Sequence, residues 1–99
     1  MSVSRTRDVS PGEPFFVLDD IAGQALHDSP GRGLVTAILP WGTDTVFNRF
    51  QVPTLLSEIR AVAAAVDDSD VSEQLARLAT FLDEHVPAEN DAYVIFVAD

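Results

Sequence analysis

Residues 52–82 read VPTLLSEIRAVAAAVDDSDVSEQLARLATFL. Val52, Leu55, Leu56, Ile59, Ala63 and Val66 recur at the three- and four-residue steps that share one stripe of an α-helix. Pro53 suits a first helical turn, where its missing N–H would have no intrahelical partner. The pattern breaks at Asp67-Asp68-Ser69. A second stripe follows in Val71, Leu75, Leu78 and Leu82, and Asp70 with Glu73 has the D-x-x-E spacing of a capping box. The stretch predicts two consecutive helices, each with an apolar stripe that must be covered by another layer.

On the carboxyl side, Pro87 ends the second helix. Asp91-Ala92-Tyr93-Val94-Ile95-Phe96-Val97 is then a nearly continuous apolar run, as expected of a central strand. On the amino side, Thr45-Val46-Phe47 predicts a short strand. Leu34-Val35-Thr36-Ala37-Ile38-Leu39 has the length and branching of another, closed by Pro40, which cannot donate to a ladder. The turn formers from Asp28 to Gly33 precede it. Phe15-Phe16-Val17-Leu18 and Gln24-Ala25-Leu26-His27 flank the turn-like Asp19-Asp20-Ile21-Ala22-Gly23 and predict a β-hairpin. Residues 1–13 are polar and end near Pro11 and Gly12, so they predict a flexible leader, with residues 14–99 as one α+β domain. The predicted order is β-β-β-(β)-α-α-β, a mostly antiparallel sheet of four to five strands with a helical hairpin on one face.

A chain of 99 residues has room for one core, burying roughly 60–70% of its unfolded surface. Its apolar fraction of 46% separates it from disordered chains despite a net charge of −10. The absence of cysteine excludes disulfides, thiolate metal sites and a cysteine nucleophile. Residues 1–13 carry Arg5 and Arg7 but no apolar run behind them, so no secretory signal is expected there. No stretch approaches the roughly 20 apolar residues that cross a bilayer. A cytoplasmic location is expected.

All six basic residues are arginine. With aspartate outnumbering glutamate and alanine and valine abundant, the composition resembles that of a high-GC genome and suggests an actinobacterial or halophilic source, which would account for part of the acidity. The net charge opposes binding to phosphate backbones and anionic lipid. It favours a basic protein partner, drawn in faster at low salt.

His27 and His85 are the two imidazoles. Asp83, Glu84 and His85 are adjacent on a helix and point in different directions, so they cannot converge on one ion. His85 near a helix carboxyl end suits the dipole there. No G-x-S-x-G elbow is present. Gly31-Arg32-Gly33 comes before a strand, whereas phosphate loops follow one and open a helix. No catalytic residue, cofactor or metal is expected.

The segment from Pro40 to Gln51 holds the only tryptophan and two of the six phenylalanines. Asp44, Asn48 and Gln51 are suited to satisfying turn and helix-start amides. Trp41 and Arg49 are of the types enriched among interface hot spots. Trp41-Gly42 followed by Asp44-Thr45-Val46-Phe47-Asn48-Arg49-Phe50-Gln51, two helices and Phe96-Val97-Ala98-Asp99 resembles a group of small uncharacterised actinobacterial proteins from Trp41 onward. That resemblance implies no activity.

The expected function is a non-catalytic, acidic protein-binding domain, immunity- or antitoxin-like, that neutralises a basic partner. Trp41, Asp44, Asn48, Arg49, Gln51, Asp67, Asp68 and Asp70 are its candidate contacts. One alternative is a small-ligand or enzymatic domain with a pocket beside the 41–51 loop, and another a self-associating structural module.

Overall fold

The computed structural model describes residues 1–4, 15–29, 33–38, 44–85 and 94–97. In chain order these form β1 (Ser2–Ser4), β2 (Phe15–Val17), α1 (Asp20–His27), a 3-10 turn (Leu34–Ala37), β3 (Thr45–Phe47), α2 (Val52–Ala65), α3 (Ser69–His85) and β4 (Val94–Val97). The architecture is α+β: a four-stranded, wholly antiparallel sheet in the order β2-β1-β4-β3, with α2 packed on α3.

Register decides what the sheet buries. Val3 stands opposite Phe16 on one side and Phe96 on the other, Thr45 opposite Phe96, and Phe47 opposite Val94. Directly opposed residues of antiparallel strands point to the same face. Val3, Phe47, Val94 and Phe96 thus line one face and join a single core with Leu18, Leu26, Leu55, Ile59, Leu75, Leu78 and Leu82. Phe47 meets Phe96 edge-on at 5.7 Å. Phe16 lies 5.8 Å from Phe81 of α3. Such pairs add roughly 0.5–1.5 kcal/mol beyond the area they bury.

Both predicted helices form. Val52, Leu55, Leu56, Ile59 and Ala63 of the first stripe and all four residues of the second are buried, and Val66 is half-buried. The start of α3 differs from the capping box expected at Asp70 and Glu73. Asp68 is the cap: its Oδ1 accepts the N–H groups of Asp70 at 2.9 Å and Val71 at 3.2 Å, and its carbonyl takes Ser72 N–H. Glu73 pairs with Arg77 one turn on. The Ser72 hydroxyl donates to Ala63 O at 2.6 Å, tying the first turn of α3 to the last of α2.

Three expectations are corrected. Gln24–His27 is not the second strand of a hairpin but the end of α1, because Asp19 caps a helix by accepting Ala22 N–H at 2.8 Å. Ala22 and Leu26, one helical turn apart, are then buried together. Leu34–Ala37 is a 3-10 turn and not a strand. Val35 and Ile38 point together into the core at the three-residue spacing of that turn. Finally, Ser2–Ser4 does not belong to a leader: it is an inner strand, with Met1 and Val3 buried. Residues 5–14, Leu39 and residues 86–93 of the predicted segments lie outside the described residues.

Candidate functional site

The carboxyl half of the 41–51 segment is occupied with starting α2. Asn48 Oδ1 accepts the N–H groups of Phe50 at 3.0 Å and Gln51 at 3.1 Å, while Gln51 Oε1 accepts Asn48 N–H at 2.9 Å. These bonds close the turn that leads into α2. Thr45 Oγ1 donates to Ala37 O at 3.2 Å and holds β3 to the 3-10 turn. The Arg49 guanidinium lies 4.7 Å from the centre of the Phe50 ring, whose side chain is exposed. Asp44 is half-buried. Trp41 is outside the described residues. The sequence-derived candidates therefore fall into separate groups: Asn48 and Gln51 serve the backbone, Asp68 caps α3, and Asp67 and Asp70 are exposed in and after the loop between the helices.

Sequence reasoning missed an apolar concavity. A groove of about 620 Å³ runs between one flank of α1 and one flank of α2, lined by Ala25, Asp28, Ser29, Gly33, Glu58, Ala61, Val62, Ala65 and Val66. Its surface is mostly apolar, with Asp28 and Glu58 as the charged side chains among the described lining residues. No described residue of the 44–51 segment lines it. The small side chains make the space: alanines at 61 and 65 leave the outer flank of α2 low. That signal was present in the sequence as exposed alanines beside the apolar stripe, but alanine fits a helix anywhere.

Glu58 organises the wall nearest the 3-10 turn. Its Oε1 accepts Val35 N–H at 3.1 Å. A Cβ at position 33 would run into the Glu58 carboxylate, so the glycine permits this approach. Thr36 Oγ1 donates back to Gly33 O at 2.7 Å, and His27 Nδ1–H donates to Thr36 O at 2.8 Å, linking α1 to the same turn. Asp28, also in the lining, accepts from Gln24 Nε2 at 2.7 Å, an exposed bond that leaves the carboxylate at the surface.

A second, polar concavity of about 300 Å³ lies between α1 and α3, lined by Asp19, Asp70, Glu73, Gln74 and Arg77. Asp19 is engaged by Gln74, and Glu73 by Arg77. Gln74 Nε2 donates to Asp19 Oδ2 at 2.6 Å and Gln74 Oε1 accepts Asp19 N–H at 3.1 Å. The Gln74 bond, followed by the bond from Ala22 N–H, holds the Asp19 carboxyl below the usual carboxylate range. Among the described residues no group of three or more His, Asp or Glu side chains could hold a metal ion, and no helix is long and apolar enough to cross a membrane.

No known protein family, no curated protein and no solved structure matches this chain.

Proposed function

We propose that this protein is a non-catalytic acidic domain that binds a basic protein and neutralises it, in the manner of immunity proteins or antitoxins. The observation that carries the reading is the groove between α1 and α2, an apolar trough with Asp28 and Glu58 in its lining on a chain of net charge −10. Buried apolar area supplies affinity in such a contact, and peripheral carboxylates supply speed and selection of partner sign. Asp67 and Asp70, exposed beyond the end of α2, add to the same field.

The test is isolation of the tagged protein from its native cell at low and high salt, with mass spectrometry of whatever is retained. A stoichiometric basic protein held at low salt and progressively lost at high salt is expected. Retention of nothing stoichiometric at either salt, or of an acidic partner, overturns the reading.

The groove's size also falls within the roughly 300–1,000 Å³ of small-molecule sites. A small ligand with an apolar body and a cationic end is therefore the second reading.

A further inference from the structure

One wall of the groove is a flank of α2, and the other is Ala25 of α1 with Asp28, Ser29 and Gly33 beyond the end of that helix. On α2 the lining runs from Glu58 to Val66, about 12 Å of helix axis at ~1.5 Å per residue. On α1 it holds Ala25, and Ile21, one turn earlier on that flank, is exposed over 68% of its surface. Alanines at 25, 61 and 65 let a third helix approach toward the short end of the roughly 8–10 Å interaxial range. Its apolar residues would meet Ala25, Val62 and Val66.

The charges select the sign of what lies there. Asp28 and Glu58 line the groove, and Val66 at its end is followed directly by Asp67 and Asp68. The bases of α2 and α3 are directed elsewhere, Arg60 toward Asp83 and Arg77 toward Glu73. A second copy of this chain would bring acid against acid. We infer that the groove receives an amphipathic helix of a basic protein, with apolar residues at i, i+3 or i+4 and i+7 in the trough and Lys or Arg at its edges facing Asp28 and Glu58. The inference rests on the protein-binding reading and adds the place and the shape of the contact.

A fluorescein-labelled leucine–lysine peptide of about four helical turns, patterned as an amphipathic helix, probes the groove by anisotropy. A scrambled peptide of the same composition and a leucine–glutamate version are the controls. Ala65→Trp and Ala61→Trp fill the trough from exposed positions, so the fold survives, as far-UV circular dichroism will check. Asp28→Asn with Glu58→Gln removes two charges and keeps the acceptors of Gln24 and Val35. Asp83→Asn with Glu84→Gln removes the same charge from the far end of α3.

The patterned basic peptide is expected to bind and the two control peptides not. Either tryptophan variant should weaken binding by about tenfold or more, equivalent to ~1.4 kcal/mol. The groove charge variant should weaken it about fivefold and the α3 charge variant by less, since neither Asp83 nor Glu84 lines the groove. No binding by the wild-type chain, equal binding of the scrambled peptide, or unchanged binding by both tryptophan variants overturns the inference. None of those results touches the broader reading, which the native isolation decides by itself.

Discussion

In α2 and α3 the buried side chains recur every three or four residues, whereas the sheet joins Val3 to Phe96 across nearly the whole chain. Each strand is only three or four residues long, too short for alternation to show above the noise of composition. The helices carry their own hydrogen bonds and need the sheet only to cover their stripes. The strands have no local support, and their pairing is paid back by the shared core. Local pattern thus writes the helical layer, and burial writes the sheet.

The largest expected effect tests whether the two layers are one cooperative unit. Phe96→Ala removes a fully buried ring from the inner strand β4 and its edge-on contact with Phe47, with an expected loss of about 3–5 kcal/mol in urea unfolding. Helical circular dichroism and a sheet-located probe should lose signal in one transition. Two separate transitions would break the comparison and make the helical hairpin an independent unit.

Glu58→Ala comes next. It leaves Val35 N–H without its acceptor beside the core and should cost about 1–3 kcal/mol, most of which Glu58→Gln retains. Equal losses in both variants would show that charge and not the hydrogen bond fixes the 3-10 turn.

Smaller still is the cap of α3. Asp68→Ala should cost about 1 kcal/mol and Asp70→Ala less than about half of that. The reverse order in thermal unfolding would restore the capping box at Asp70 and Glu73.

The smallest effect is in pH. The Asp19 carboxyl is held below its ordinary value of 3.8 by Gln74 and Ala22. Its contribution is present above the unfolded-state value and is lost as pH falls through the lower folded one. The stability difference between wild type and Asp19→Asn should therefore shrink as pH falls from about 5 to below the ordinary value of 3.8, modestly because the site is exposed. A difference that stays constant over that range removes Asp19 from acid unfolding.

These contrasts locate what could be read before the structure was known. Both apolar stripes, Pro53 in the first turn, β3 and the inner position of Val94–Val97 were legible, because each depends on a few neighbouring residues. The α+β class followed. Gln24–His27 misled because Gly23 reads as a turn residue, yet here it is buried inside α1, where a side chain is not needed. Leu34–Ile38 misled because its composition is that of a strand, while its fate was set by Glu58, a residue 23 positions from Val35. In the candidate site, Asn48 and Gln51 were legible as acceptors of turn amides ahead of α2. The groove was not, since a concavity between two helices is a property of their packing and leaves no motif in either one.

The place of β1 in the sheet has a consequence for how the protein is made. Among the described strands Ser2–Ser4 is synthesised before all the others and Val94–Val97 after them, yet they are neighbours. During synthesis α2 and α3 can form while the chain is still attached, but the surface they must cover is missing its inner partner strand until β4 arrives. For that interval β1 and β2 present an open edge, and the nascent chain is at its most vulnerable to pairing with other chains. Completion of the sheet waits for β4, so its rate should follow the pairing of that strand and not the formation of the helices.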